Sequence, residues 1–532
     1  MTVVIFAGYL VILLMLALRA RQKAKPGAED FYLASRTLGP LMLLVTLAAT
    51  NFSAFTVFGF AGAGYRFGYA WYPIMAFGTG FMALTFILLG IPARRAGKET
   101  GAITPPELIW HRFRHRGLYS AYLLVMVIFT LPYLALQPLG AGYMLQALFG
   151  IPYFAGAGLV VLVGLVYVLV AGLRGDVLTD LFQGLLMLLG AGVLFFALIS
   201  ALGGFERVSG KLVSELPELF SRPGGGGFFT PKIWFSYLAL WFLCDPMFPQ
   251  LFQRFLAAGS DRALLRSAQL YPLVTGVLFF FPVALGVLAH SVLPNLSGAE
   301  TDQVLPLLVS RTLSPVFSGL LTIVGLSALM STMDSQLLTL SSMVLRDGRQ
   351  LLGKTPETGN RARMAVIILL ALAGWLLALK PPATILEIAT ETFTGLAVLF
   401  PVTVAGAYWQ KANPWAGMLS IVAGETLVVL YHFKVLPDLG FLPVIPVVGV
   451  SAVVLVAGSL LFPVRGLTSW SSVRDLNWRP LGTLALVFVL ANDFWNWHRV
   501  GAMLSALPVW LWYQIALTLT LVALLGWQMF RN

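Results

Sequence analysis

Cysteine is almost absent: Cys244 is the single one in 532 residues, which excludes an internal disulfide and any cysteine-built metal site. Charge is scarce too. Asp, Glu, Lys and Arg together make up 11% of the chain, well below a soluble globular composition. The five histidines, His111, His115, His290, His432 and His498, are scattered at helix ends without metal-ligand spacing. No glycine-rich phosphate loop and no nucleophile motif occurs, so neither an ATP-driven pump nor a membrane hydrolase is supported and no catalytic residue is assigned. Met1-Thr-Val-Val-Ile has no basic segment ahead of the first apolar run, so that run does not read as a signal peptide.

What the chain has is apolar surface. Its hydrophobic fraction is 58% and its mean hydropathy +0.86, the signature of an all-α polytopic membrane protein. About fifteen apolar runs approach the ~20 residues that cross a bilayer. In chain order they are Val3–Leu18 (helix zero), Pro40–Ala63 (helix one), Trp71–Ile91, Leu118–Leu145, Ile151–Leu173, Val177–Leu202, Ile233–Phe252 (helix six) and Leu270–Val292. Pro315–Leu345 (helix eight), Met364–Leu379, Ala383–Tyr408 (helix ten), Trp415–Tyr431, Leu442–Phe462, Leu481–Trp497 and Leu507–Phe530 complete the set. Gly203–Lys232 is expected to be a flexible outer segment, and Ser297–Leu313 a short amphipathic piece leading into helix eight.

The basic residues orient these helices. With the N-terminus outside, 25 of the 34 Lys and Arg fall in cytoplasmic segments, including Arg254, Arg174, the five at 346–363, those at 465–479 and Arg531. The positive-inside rule reads this asymmetry directly. It also accounts for the net charge of +12: the run Arg112-Phe-Arg-His-Arg116 is a topology anchor and no nucleic acid is called for.

Helix eight carries the chemistry. In Gly325-Leu-Ser-Ala-Leu-Met-Ser-Thr-Met-Asp-Ser-Gln-Leu-Leu-Thr-Leu-Ser-Ser-Met-Val344, the residues Ala328, Ser331, Thr332 and Ser335 stand at i, i+3, i+4 and i+7, one helix face. Asp334 sits at the edge of that stripe. Hydroxyls and a carboxylate at membrane depth are costly unless they face protein or water, which suggests an ion path; oxygen ligands of low formal charge suit a weakly charged hard cation. A stripe of small and hydroxyl residues also packs membrane helices together, and that bland alternative stays open. Helix one is interrupted at Ala48-Ala-Thr-Asn-Phe-Ser-Ala-Phe-Thr56, and helix six at Cys244-Asp-Pro-Met-Phe-Pro-Gln250, where Pro246 and Pro249 each remove a backbone donor. Breaks five helices apart are what an inverted repeat of five plus five helices produces, with solute and ion between them. Ordinary packing kinks are the alternative.

Several of these segments resemble the sodium:solute symporter family, whose members have the LeuT-like fold. Ala328-Leu-Met-Ser-Thr-Met-Asp-Ser-Gln-Leu-Leu338 is similar to the signature of its eighth core helix, and Gly172-Leu-Arg-Gly-Asp-Val-Leu-Thr-Asp-Leu-Phe-Gln183 to its motif entering the fifth. Phe31-Tyr-Leu-Ala-Ser-Arg-Thr-Leu-Gly39 resembles the stretch before helix one, and Phe248-Pro-Gln-Leu-Phe-Gln-Arg254 the end of helix six. The likeness covers roughly residues 1–463. It implies a main sodium ion held by the carbonyls of Ala49, Phe52 and Ala328 and the hydroxyls of Ser331 and Thr332. It implies, for some members, a second sodium at Asp180, Ser331, Asp334 and Ser335; Asp334 departs from the serine of the two-ion pattern. Solute contacts carried over by the resemblance are Asn51, Ser53, Thr56, Gln137, Trp241, Asp245 and Pro249. Gln137 reads equally well as a buried amide bonded to a neighbouring helix, and Asp245 as a cap on the second half of helix six. Glu387 and Glu391, at the start of helix ten, read as solvated or as lining the solute path.

The expectation is a secondary active transporter, not an enzyme, that moves a small organic solute (pantothenate, an amino acid or a sugar) with sodium across the cytoplasmic (inner) membrane by alternating access. Its parts are a leading helix and basic loop at 1–39, repeats at 40–202 and 233–410 flanking the outer loop 203–232, and about four further helices at 411–532. A solute-sensing receptor module without transport, and a proton-coupled symporter using Asp180 or Asp334, are the alternatives.

Overall fold

The computed structural model describes residues 2–22, 25, 27–355, 359–381, 383–464, 469–472, 476–497 and 501–527. Lys23, Arg465, Arg474, His498, Arg499 and Arg531, which entered the reading of loop charge and histidine spacing, lie outside them. The described chain is helical nearly throughout. Its one sheet among these residues is the hairpin Met503–Leu504 with Leu507–Pro508.

The surface is that of a protein in lipid. Leu162, Phe196, Leu369 and Val453 are 61%, 68%, 65% and 66% exposed, whereas Asp176, Asp180, Gln183, Arg254, Asp334 and Gln336 are buried. A soluble fold would not leave large aliphatic residues outside and carboxylates inside. This is a multi-pass membrane protein.

Nine helices among the described residues are long and apolar enough to cross a bilayer, and Pro40–Asn51, Tyr153–Val166, Trp478–Asn492 and Val509–Leu525 are shorter apolar helices. Helix one is divided, and its second part ends at Gly68, where φ 76 and ψ −159 turn the chain into helix two. Helices four and five meet within Tyr153–Ala201 at Gly172, whose φ 58 and ψ −168 interrupt the helical conformation. A Cβ at Gly172 would come within 2.7 Å of the Phe31 ring, so glycine answers both the backbone angle and the close approach.

Two groups of helices organise the middle of the chain. Helix seven, Asp261–Leu288, packs on both parts of helix one and on Trp71–Met82 of helix two, and helix two also packs on Pro231–Cys244 of helix six. The second group is Arg116–Phe149, Tyr153–Ala201, Pro315–Ser342 and Asn360–Ala378. The most extensive contact in the molecule is between Pro315–Ser342 and Tyr153–Ala201, and the leading helix Thr2–Gln22 lies against both.

The segment 203–232 is packed, contrary to the flexible loop its glycines suggest. It contains the helix Phe205–Glu215, and Cβ atoms at Gly224 and Gly225 would collide with the carbonyl oxygens of Phe67 and Arg66, so the loop lies flat on the turn between helices one and two. Arg222 is 1% exposed and paired with Asp493 of the C-terminal helices. An apolar surround makes the partner obligatory for that guanidinium. Ser297–Leu313 forms the expected short piece, a 3₁₀ segment Gly298–Gln303 followed by Val304–Thr312.

On the opposite side, Arg112 is buried and donates to the carbonyls of Gly406, Trp409 and Gln410 at 3.3, 2.8 and 3.4 Å. It closes the C-terminal end of Phe400–Tyr408, where helix carbonyls lack partners and a cation is favoured.

Candidate functional site

Helix one stops at Asn51. Phe52 takes the extended conformation φ −86, ψ 98, and the chain resumes as a wide-turn segment Phe55–Gly59 and the helix Phe60–Phe67. Such a break exposes carbonyls that no intrahelical donor reaches. Helix eight answers it: Thr332 Oγ1 lies 2.9 Å from the Thr50 carbonyl oxygen and 3.3 Å from that of Phe52. Ala49, Phe52, Ala328, Ser331 and Thr332, the five residues expected around a main sodium ion, are all buried, none more than 3% exposed. Thr332 and Phe52 are thus within bonding reach of each other, and the donors there are carbonyl and hydroxyl oxygens, a chemistry that fits a monovalent hard cation.

Directly beside this lies a charged cluster. Asp180 accepts from Ser331 Oγ at 2.5 Å and from the Thr46 hydroxyl. Arg254 donates to Asp176 Oδ2 at 2.6 Å and Ser335 Oγ at 2.6 Å, and lies 3.4 Å from Asp180 Oδ2. Ser335 also donates to Asp176 at 2.9 Å and is 3.1 Å from Thr50 Oγ1. Of the four residues expected for a second sodium, the structure joins Asp180, Ser331 and Ser335 and leaves Asp334 apart. Both Asp334 oxygens are buried without a hydrogen-bond partner among the described residues. The carboxylate faces Gly164 of helix four, with Oδ1 3.3 Å from where a Cβ would stand there, and acts electrostatically on Tyr9 of the leading helix. Tyr9 in turn accepts from Gln183 at 3.0 Å and from Ser327 at 3.3 Å. The acid that faces Asp180 is Asp176, four residues away on the same helix.

The reading of Arg254 as a cytoplasmic loop charge is overturned: it is fully buried. Counting charges near helix ends cannot tell a solvated arginine from one that turns inward to a carboxylate. The available signal was the i, i+4 pair Asp176 and Asp180, two acids on one helix face that need a cation opposite. Thr46, Thr50, Tyr133 and Tyr271 carry no such signal.

Helix six breaks as expected. Pro231–Cys244 gives way to a 3₁₀ turn Asp245–Met247, Phe248 is extended, and Pro249–Ala257 begins anew. No side chain caps that second half, so the cap reading of Asp245 does not hold. Its carboxylate takes the Cys244 thiol at 3.3 Å and faces the Asn51 amide, while Asn51 Nδ2 donates to the Tyr271 hydroxyl at 2.8 Å. Between the two breaks lies a cavity of about 10 Å³, room for roughly one water. Asn51, Thr56, Trp241 and Asp245 line it with Tyr133 and a cage of aromatic rings. Phe393 of helix ten stands 5.7 Å from Trp241 and 4.9 Å from Tyr133, centroid to centroid.

Three expected solute residues sit outside that lining. Ser53 is buried against Tyr133, and Pro249 opens the second half-helix. Gln137 uses its amide on backbone: Oε1 accepts from Ala54 N at 3.0 Å and Nε2 donates to the Tyr133 carbonyl at 3.1 Å. It braces the restart of helix one. Glu387 belongs to a capping box with Thr384, and Glu391 pairs with His432 at 3.3 Å; both line a separate cavity of about 670 Å³ beside helix three.

The family model for the sodium:solute symporter family matches residues 31–424. A sodium/pantothenate symporter of Haemophilus influenzae is 29% identical over 402 residues, 74% of this chain and 82% of its own. The sodium/pantothenate symporter of Escherichia coli K12 is 27% identical, over 85% of this chain and 95% of its own. An osmoregulated proline transporter of Bacillus subtilis is 26% identical, over 76% and 83%. In fold, the chain resembles a Na+-coupled sialic acid symporter solved in a substrate-bound outward-open state, with TM-score 0.74 and 18% identity over 88% of this chain and 99% of that one. A nucleobase-cation-symport-1 family transporter in a closed conformation follows with TM-score 0.55 and 15% identity, over 81% and 95%. With the match running from the stretch before helix one through helix eight and on to Gly424, this chain belongs to the sodium:solute symporter family.

Proposed function

We propose that the protein carries a small organic solute inward with sodium by alternating access, and that the solute is pantothenate. The observation that carries the transport reading is the meeting of two broken helices. Asn51 and Thr56 from one break and Trp241 and Asp245 from the other line a single buried cavity, while Thr332 bridges to the carbonyls of the first break alongside it. Unwound backbone next to a midplane pocket is how this architecture holds a solute and its coupling ion together. The lean toward pantothenate comes from the two sodium/pantothenate relatives, which match at higher identity than the proline transporter. Pantothenate offers hydroxyls and an amide that Asn51, Thr56 and Asp245 can bond.

In this reading the carbonyls of Ala49, Phe52 and Ala328 and the hydroxyls of Ser331 and Thr332 hold sodium. The solute contacts Asn51, Thr56, Trp241 and Asp245, with Ser53 and Pro249 shaping the two breaks beside them and Gln137 bracing the first. Helices one, two, six and seven rock against three, four, eight and nine, as repeats at 40–202 and 233–410 with the N-terminus outside and about fifteen crossings of the cytoplasmic membrane. Proteoliposomes test it: an inward sodium gradient should drive accumulation of labelled pantothenate, and neither a potassium gradient nor a pH gradient alone should. Accumulation of proline in preference to pantothenate would refute the solute, and sodium-independent accumulation would refute the coupling.

A further inference from the structure

Arg254 stands on the inner half of helix six, and every hydrogen bond it makes is inside the molecule. Besides Asp176, Asp180 and Ser335, its Nε donates to Thr46 Oγ1 at 2.9 Å and its Nη1 to the Gln250 carbonyl at 3.1 Å. Its side chain and those of Asp176 and Asp180 are at most 2% exposed. Asp180 and Ser335, two members of the expected second-sodium set, are therefore already in contact with a guanidinium. A sodium ion among them would sit against a fixed positive charge in a dry interior, where like charges repel strongly. The donor set does not fit a second sodium while Arg254 is in place.

Charge accounts for what remains. With both carboxylates ionised, Asp176 and Asp180 bring two negative charges against the one positive charge of Arg254, leaving one negative charge uncompensated within this cluster. That surplus is connected to the main ion site. Ser331 donates its proton to Asp180 Oδ1, so its lone pairs are free to face the carbonyls and hydroxyl gathered around Thr332. One mobile cation there completes neutrality.

We propose that Arg254 is a tethered cation in place of a second sodium, so that a single sodium ion accompanies each solute, and that it ties the charge of the main site to the inner half of helix six. The inference rests on the sodium-coupled reading above and adds the stoichiometry and the residue that sets it. Its mechanical consequence is direct: Arg254 links helix six to Asp176 of helix five and Ser335 of helix eight, so inward opening must break that link.

Equilibrium binding of radioactive sodium to purified protein, with pantothenate as the solute probe, tests it without relying on transport. Wild type should bind one sodium per chain with a Hill coefficient of about 1, and Arg254→Gln should expose the cage and move the coefficient toward about 2. Arg254→Lys, which keeps the charge, should stay at one. Asp176→Asn with Arg254 kept removes the surplus negative charge and should weaken sodium binding by roughly tenfold or more. Two sodium ions bound to wild type would overturn the proposal. So would a monodisperse Arg254→Gln that still binds one, or an Asp176→Asn of unchanged affinity. If Arg254→Gln does not fold, the wild-type count and Asp176→Asn decide alone. Absence of sodium binding by wild type would overturn sodium coupling itself, which is distinguishable from sodium bound in the wrong number.

Discussion

The hydroxyl of Thr332 lies 2.9 Å from the carbonyl oxygen of Thr50, joining helix eight to the broken end of helix one across 282 residues of chain. Removing it should leave those carbonyls and any bound ion short of a ligand. Thr332→Ala and Ser331→Ala are each expected to raise the sodium concentration needed for half-maximal uptake. A hydroxyl in a dry site contributes ~1–3 kcal/mol, about 5- to 150-fold in affinity. Thr332→Ser should retain most of it. Sodium titrations of uptake at matched surface expression check this, and wild-type sodium dependence in both alanine variants would move the ion site elsewhere.

Asp245 separates solute from sodium. Because it faces Asn51 and the cavity and caps nothing, Asp245→Asn should weaken solute binding by about tenfold, the scale of a charge-assisted hydrogen bond of ~1.5–3 kcal/mol. Sodium affinity should remain near wild type. Isothermal titration of each ligand in turn gives the comparison.

Gln137 predicts stability where a contact residue would predict specificity. Gln137→Leu strands the Ala54 N–H, costing ~1–3 kcal/mol if buried and unpaired, and removes the side-chain bond to the Tyr133 carbonyl. A lower melting temperature is the expected result, with the ranking of competing solutes unchanged. A changed ranking at unchanged melting temperature would mark Gln137 as a direct solute contact.

Gly172 should not accept a side chain. Gly172→Ala meets both a positive φ and the Phe31 ring, and a strained backbone position alone costs about 1–3 kcal/mol. Thermal unfolding should show the loss. Phe31→Ala in the same chain relieves the collision but not the backbone angle, so only partial recovery is expected.

The buried pair of Arg222 and Asp493 fastens the segment 203–232 to the C-terminal helices. Breaking it from one side, by Arg222→Leu or Asp493→Leu, should destabilise by about 3–5 kcal/mol because the other charge is left buried and alone. The double variant should be closer to wild type than either single one, which a double-mutant cycle on thermal stability measures.

Local properties of the chain determined the class, the helical content and the places where helices one and six fail. Hydropathy, proline and hydroxyl spacing act within a turn or two, so Phe52 and Phe248 could be placed at breaks from sequence neighbours alone. The same reasoning put Ser331, Thr332 and Ser335 on one face of helix eight, and the family signatures around them pointed to the proposed site. Which side chains meet across that face was decided only by packing. The azimuth of one helix against another depends on contacts summed along its whole length, and a rotation of one residue's angle exchanges neighbours. That is why Asp334, adjacent in sequence to Ser335, points to Gly164 and Tyr9, while Ser335 faces Asp176. It is also why Arg254, 78 residues from Asp176 in the chain, looked like a loop charge. A buried cation is visible only once the acids that hold it have been brought to it.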